Sequence, residues 1–144
     1  FLKIEAVAVT SVPCRARLEI DLRDTGTKTR DAALAQIETA AREICRRRGV
    51  DLQIERLNVD APAICDSQLV TRVLDVCQEM NLRAKRMISR AYHDSLFMAQ
   101  ICPATMIFIP CRGGVSHRPD EYSSPEQIKN GVAVLAHTQA KLAT

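Results

Sequence analysis

Apolar and charged residues alternate strictly between Arg15 and Arg23, and this period of two predicts a half-buried strand. After the turn-prone segment 24–26, apolar positions recur at helical spacing to about residue 48, where Gly49 follows as a natural C-cap. The predicted inner face of this helix is Leu34, Ile37, Ala41, Ile44 and Cys45. Leu52 and Ile54 then alternate with polar residues in a second predicted strand. Residues 1–60 therefore predict a strand-helix-strand unit.

The segment Asp60–Ala63 interrupts this pattern and predicts a boundary, so that residues 61–144 form a second unit. Asp66 is expected to cap a helix that ends near Asn81, a residue suited to left-handed backbone. The predicted inner face of this helix is Leu69, Val70, Val73, Leu74, Cys77 and Met80.

The second unit continues with a predicted strand over 85–88, a short helix over 93–101 and a strand over 105–110 that is buried on both faces. Ser124, Pro125 and Gln127 form a capping-box signature for a last helix. We expect that helix to pack on the sheet through Ile128, Val132, Leu135, Gln139 and Leu142. The alternation of helices and strands predicts a mostly parallel α/β fold with three layers.

Composition narrows the possible partners. The net charge of +3 and the five aromatic residues give little basis for nucleic-acid binding. No apolar run approaches the length of a membrane span. The six cysteines are at least nine residues apart, which excludes a CxxC pair and favours reduced, mostly buried thiols.

Candidate chemistry concentrates in the loop CRGGVSHRPDEYSSP, which follows the predicted strand 105–110. His117 is a candidate metal ligand, with Asp120 or Glu121 holding the ring or the neighbouring backbone. The alternative is a loop histidine that only hydrogen-bonds to backbone. Cys111 as a nucleophile with a histidine base is a weaker possibility, because nothing in the sequence sets their geometry.

The cluster SRAYHD, Ser89 to Asp94, follows the preceding predicted strand, so its loop is expected at the same edge of the sheet. His93 and Asp94 are adjacent and do not form a relay; capping by Asp94 is the simpler interpretation. Arg23 is a candidate clamp for a substrate carboxylate, and the alternative is a surface ion pair with Asp21 or Asp24.

Three collinear motifs, VPCRARLEIDLRD, SRAYHDSLFMA and MIFIPCRGGVSHRPDEYSSPEQI, resemble the carboxy-terminal part of the amidase, hydantoinase and carbamoylase family of dinuclear metal amidohydrolases, relatives of the zinc aminopeptidases. Many members have Gly where this chain has Tyr92. The version with Tyr is similar to plant ureidoglycolate amidohydrolases of ureide breakdown. The alternatives are an allantoate amidohydrolase or a non-catalytic α/β interaction module.

The resemblance implies that His117 binds one of two metal ions, which in this subgroup are manganese. It implies that Arg23 grips the substrate carboxylate and that His93 and Tyr92 line the substrate pocket. The family's reaction uses two metal ions and a carboxylate base to activate water against a ureido or amide carbon. For ureidoglycolate, the products are glyoxylate, ammonia and carbon dioxide.

The resemblance also implies that residues 1–60 are the second half of a lid, through which the intact enzyme forms a homodimer, and that 61–144 close the catalytic domain. The family's HxD motif, bridging Asp and Glu-Glu pair do not occur here. We therefore expect no catalytic residue in this chain and no activity from the chain alone. Val7 and Thr10 replace the asparagines of a family N-x-x-N stretch. The plant relatives imply the endoplasmic reticulum.

Overall fold

The computed structural model of the chain describes residues 2–5 and 13–143. It divides into two compact units, Phe1–Asp60 and Ala61–Thr144. Val7 and Thr10, where the sequence departs from the family stretch, lie outside the described residues. Among the described helices, none is both long enough and apolar enough to cross a membrane.

The first unit contains a two-stranded antiparallel sheet and one long helix. Strand β1 (Leu2–Glu5) pairs with β2 (Arg15–Leu18), with Leu2 opposite Leu18. The predicted strand over Arg15–Arg23 is therefore shorter than expected, and its side chains within β2 are exposed rather than half-buried. Alternation shows which residues share a face, but strand length depends on a hydrogen-bonding neighbour, which here is β1.

Helix α1 (Thr27–Arg48) confirms the predicted helix. A turn in which the Gly26 N–H donates to Asp24 Oδ1 (2.8 Å) leads into it, and Gly49 ends it in left-handed conformation at φ 65°. The three arginines of its last turn lie where the helix dipole favours positive charge. Of the predicted inner face, all but Ile44 are half-buried.

The strand predicted at Leu52 and Ile54 is wrong, because residues 50–60 form no ladder with any described strand. This segment is instead held by side chains of α1. The Arg56 guanidinium donates to Glu38 Oε1 through Nε (2.9 Å) and Nη2 (2.8 Å), and Arg30 donates to the carbonyl oxygen of Asp60. The first unit is thus a hairpin and a helix, not strand-helix-strand.

The second unit is built on two packed helices, α2 (Ser67–Glu79) and α4 (Pro125–Leu142). Asp66 caps α2 as predicted, accepting from the backbone N–H groups of Gln68 and Leu69 at 2.9 Å, and Asn81 is left-handed at φ 54°. All predicted inner-face residues of α2 are at least half-buried. Val76, which the prediction omitted, is fully buried and forms the core cluster with Cys77 and Val134.

The capping box of α4 is present as predicted, with Ser124 accepting from the Gln127 N–H and Gln127 accepting from the Ser124 N–H. Its predicted packing face is wrong, since Ile128, Val132, Leu135, Gln139 and Leu142 are all exposed. The buried positions are Val134 and Thr138. Gly131 shares that face, and its lack of a side chain admits Ile109 so closely that a Cβ would lie 2.4 Å from Ile109 Cγ2.

Residues 105–110 connect the short helix α3 (Ser95–Met98) to the loop before α4. No described strand pairs with them, so the predicted strand is not formed, nor is the one over 85–88. Contacts nevertheless alternate along the segment. On one face, Ile107 packs against the core cluster of α2 and α4, and Ile109 contacts Gly131 of α4. On the other face, Met106 accepts a hydrogen bond from Ser95, and Phe108 packs on the His93 ring. Both faces are therefore contacted, but the predicted burial on both faces is wrong, because Phe108 is 49% exposed and Ile109 37%.

The two units give an α/β arrangement of helices with a small sheet, and a three-layer sandwich is not formed within the described residues. The six cysteines are free thiols, as predicted. The expectation that most are buried is wrong. Only Cys77 is buried, while Cys14, Cys65 and Cys102 are exposed.

Candidate functional site

The loop between Pro110 and Ser124 is held by contacts between its two ends. The Arg112 N–H donates to the Tyr122 carbonyl oxygen (2.8 Å), and the Arg112 guanidinium lies 5.0 Å from the centre of the Tyr122 ring. The Ser123 hydroxyl donates to the Pro110 carbonyl oxygen at 2.8 Å. Gly113 turns the chain at φ 68°, a conformation that residues with a Cβ rarely adopt. The loop is therefore closed at its base and presents its tip to solvent.

His117 lies at that tip with a left-handed backbone, φ 58°. Its backbone N–H donates to Glu121 Oε2 at 2.8 Å, so Glu121 holds the neighbouring backbone, as predicted. Asp120 does not take that role, because it forms an ion pair with Arg118 at 2.8 Å. Positive φ is uncommon outside glycine and often accompanies functional constraint. The arrangement displays an exposed imidazole on an ordered turn.

His93 is half-buried and its ring is held on two sides. Ser89 Oγ lies 2.8 Å from His93 Nε2, and the Phe108 ring lies 5.7 Å away, centre to centre. Tyr92 is half-exposed and packs edge-to-face on Phe97 at 6.0 Å. Asp94 occupies the N-cap position of α3, but its side chain accepts no capping hydrogen bond, so the expected capping is wrong.

Arg23 lies in the first unit, and the ion-pair alternative predicted for it is confirmed. Its Nε donates to Asp21 Oδ1 at 2.8 Å, and Nη2 contacts Oδ2 of the same carboxylate. The hydrogen bond and the positive charge of Arg23 lower the pKa of Asp21, and the Asp21 carboxylate raises the pKa of Arg23. The guanidinium is thus in a bidentate pair with a carboxylate, the partner geometry it prefers.

Cys111 and His117 do not form a nucleophile and base. The Cys111 thiol is half-buried and donates to the carbonyl oxygen of Val115 at 3.0 Å. Within residues 2–5 and 13–143, no three His, Cys, Asp or Glu side chains converge to hold a metal ion. One imidazole fits the role of a contributing metal ligand but not that of a complete site, which needs three or more protein ligands.

The sequence selected His117, Tyr92, His93 and Arg23 as candidates but missed the groups that hold the His93 ring. Ser89 opens the same cluster and lies four residues before the imidazole, which is a local signal. Phe108 comes from a segment fifteen residues further on, and no spacing rule connects it to His93. The structure brings His93 and Phe108 together, while Arg23 belongs to the other unit.

Comparison with known proteins decides the family. The peptidase family M20/M25/M40 matches residues 3–141. The chain belongs to this family. Among its curated relatives, the ureidoglycolate hydrolase of Arabidopsis thaliana is 46% identical over 142 residues, which cover 98% of this chain and 30% of that protein.

Two further relatives extend the comparison. The ureidoglycolate hydrolase of Oryza sativa subsp. japonica is 45% identical over 98% of this chain and 29% of that protein. The allantoate amidohydrolase of Bacillus subtilis is 30% identical over 92% of this chain and 32% of that protein. The chain therefore spans less than a third of the length of the curated relatives it matches.

Proposed function

We propose that this chain serves a metal-dependent amidohydrolase that hydrolyses ureidoglycolate to glyoxylate, ammonia and carbon dioxide. The observation that carries the proposal is the margin in identity, 46% to a ureidoglycolate hydrolase against 30% to an allantoate amidohydrolase. Tyr92 before His93 supports the same choice, because it is the feature that resembles the plant enzymes. Allantoate is the competing substrate.

His117 is the residue of this chain that would contact a metal ion. Its ring is exposed, and the Glu121 carboxylate fixes the turn through the His117 N–H. A metal ion, when bound, supplies Lewis-acid polarisation and activation of water. We propose manganese, by resemblance to the plant subgroup. Because the described residues hold no cluster of three ligands, we propose that the chain alone does not catalyse the reaction.

Arg23 would bind the substrate carboxylate. Its pairing with Asp21 demonstrates the bidentate chemistry, and a ureidoglycolate carboxylate presents the same two oxygens. The pair is exposed to water, where ion pairs contribute little free energy. Exchange of Asp21 for a substrate carboxylate would therefore cost little.

Tyr92 and His93 would line the pocket for the ureido group. Tyr92 offers a phenol and His93 an imidazole within one turn, and each ring is supported by a phenylalanine. We further propose that residues 1–60 correspond to part of the lid and residues 61–144 to part of a three-layer catalytic domain. A homodimer formed through the lid and a location in the endoplasmic reticulum complete the proposal.

A chimera tests the substrate and the role of His117 together. The matching segment of the Arabidopsis thaliana ureidoglycolate hydrolase is replaced by this chain, and glyoxylate release from ureidoglycolate is measured with manganese present. We expect turnover of ureidoglycolate and little of allantoate. His117→Ala should lower kcat by at least about 100-fold, as loss of a ligand removes the metal's contribution.

Controls separate the roles in this experiment. His137→Ala removes an exposed imidazole from α4 and should leave both activity and metal content unchanged. His117→Ala should lower the metal content of the purified chimera, which is a readout independent of turnover. The 144-residue chain alone is expected to release no glyoxylate. A folded chimera that prefers allantoate would contradict the substrate, and one that keeps full metal content after His117→Ala would contradict the ligand.

A further inference from the structure

The two nitrogens of the His93 ring have different surroundings. Nε2 lies 2.8 Å from Ser89 Oγ, and both residues are half-buried. Nδ1 has no hydrogen-bond partner in the described part of the chain. The ring is therefore anchored through Nε2 and by Phe108, which leaves Nδ1 as the atom able to meet a ligand.

The hydrogen bonds of the Ser89 hydroxyl indicate which way the bond to Nε2 runs. A serine hydroxyl has one hydrogen to donate and two lone pairs to accept with. One lone pair accepts from the Ala91 N–H at 3.3 Å. Among the described residues, the acceptor that lies within hydrogen-bonding distance of the Ser89 hydroxyl is His93 Nε2. Donation from Ser89 to Nε2 thus satisfies the hydroxyl and requires Nε2 to be unprotonated.

We propose that Ser89 is a positioning residue that holds neutral His93 as the Nδ1–H tautomer, so that the ring presents an N–H donor to an oxygen acceptor of the ligand. In a neutral imidazole one nitrogen donates and the other accepts, and the bond made by one sets the other. A carboxylate or a ureido carbonyl oxygen is the complementary acceptor. That ligand assignment rests on the proposed function, whereas the tautomer does not.

Local structure supports a fixed ring. The His93 carbonyl oxygen accepts from the Leu96 N–H at 2.9 Å, which ties the residue to the first turn of α3. Phe108 restricts the ring from one side, at an interplanar angle of 57°. A ring flip would exchange Nε2 for a carbon beside Ser89 and lose the hydrogen bond. Ser89 therefore selects both the orientation and the proton position.

Nuclear magnetic resonance of the full chain measures the tautomer directly. Uniformly ¹⁵N-labelled protein, without metal or substrate, is examined by two-bond ¹H–¹⁵N correlation under alkaline conditions that keep imidazoles neutral. The chain has three histidines, His93, His117 and His137, and His93→Gln assigns the His93 signals. We expect a protonated Nδ1 and an unprotonated Nε2 for His93. The exposed rings of His117 and His137 serve as internal references.

Variants test whether Ser89 is the cause. Ser89→Ala should abolish the Nδ1–H preference, and Ser89→Thr, which retains a hydroxyl, should preserve it. Ser123→Ala is the matched control, since the Ser123 hydroxyl donates to the Pro110 carbonyl oxygen, and it should leave His93 unchanged.

A protonated Nε2 in the native chain would overturn the proposal, as would an unchanged His93 tautomer in folded Ser89→Ala. The native spectrum decides the first point even where a variant does not fold. Because the sample contains no substrate, this failure would leave the ureidoglycolate assignment standing. Failure of the chimera would likewise leave the tautomer result intact.

Discussion

Cys77 differs from the other cysteines of the chain in burial and in chemistry. It lies in the core with Val76 and Val134, and desolvation raises the pKa of its thiol above the ordinary value of about 9. The thiolate is the reactive form, so a buried thiol with a raised pKa is inert. We expect iodoacetamide to modify the exposed Cys65 and Cys102 much faster than Cys77, as measured by peptide mass spectrometry.

The same thiol gives the free energy of unfolding a pH dependence. The folded chain keeps the Cys77 proton to higher pH than the unfolded chain, so its contribution to stability is complete below about pH 9 and decreases as the pH rises through the folded pKa.

Modification in guanidinium, where all six cysteines should react, is the control for the iodoacetamide experiment. Equal rates for Cys77 and Cys102 in the native chain would contradict this account.

Residues of the candidate site were predictable where the signal is local. The loop with His117 and Glu121 combines glycines, a histidine and acids within a few positions, and its hydrogen bond spans four residues. Arg23 and Asp21 are two apart on the same side of an alternating segment. The contact of His93 with Phe108 depends on how two segments pack, and the sequence contains no periodicity that reports it.

Helices were predictable at the scale of elements because their start and stop signals are contained in a few neighbouring residues. Asp66 and Ser124 cap their own helices, and Gly49 ends α1. Strands were not, because a strand exists only with a neighbour that supplies hydrogen bonds. Residues 105–110 keep the alternating contacts of a strand without a described partner.

The packing face of α4 was mispredicted because the prediction used the spacing of large apolar residues alone. The face that packs is instead the one on which Gly131 lets Ile109 approach the helix. Gly131 approaches Ile109 more closely than any side chain would permit. We expect Gly131→Ala to destabilise the second unit by about 1–2 kcal/mol, because overpacking costs more than the helix propensity gained. Urea unfolding followed by circular dichroism measures the change.

Repeating Gly131→Ala in a chain that also carries Ile109→Ala tests whether contact with Ile109 causes the destabilisation. Ile109→Ala removes the Cγ2 atom that a Cβ at residue 131 would meet. In this background Gly131→Ala should stabilise by about 0.5–1 kcal/mol, since only the gain in helix propensity remains. The sign of the effect therefore reverses. Destabilisation of equal size in both backgrounds would show that Ile109 is not the obstacle.

At the scale of the molecule, the described residues bury little apolar surface. Val76, Cys77 and Val134 are the buried hydrophobic residues in the part of the chain that is described, while many large apolar side chains are exposed. On α4 these exposed residues form a stripe at helical spacing, Ile128, Val132, Leu135 and Leu142. Contiguous apolar surface of this kind usually marks a site of interaction. It is the face that patterning alone predicted to be buried.

An environment-sensitive dye tests whether the stripe is accessible in solution. We expect anilinonaphthalene sulfonate to bind the folded chain with enhanced fluorescence, because Val132 and Leu135 are 61% and 48% exposed. Val132→Glu should lower that fluorescence by breaking the stripe at its centre, without loss of helical circular dichroism. Lys129→Glu, an exposed change on the same helix outside the stripe, should not lower it. Fluorescence unaffected by Val132→Glu would locate the accessible apolar surface elsewhere, whereas a specific loss would show that α4 leaves open the stripe that adjoins its Gly131 contact.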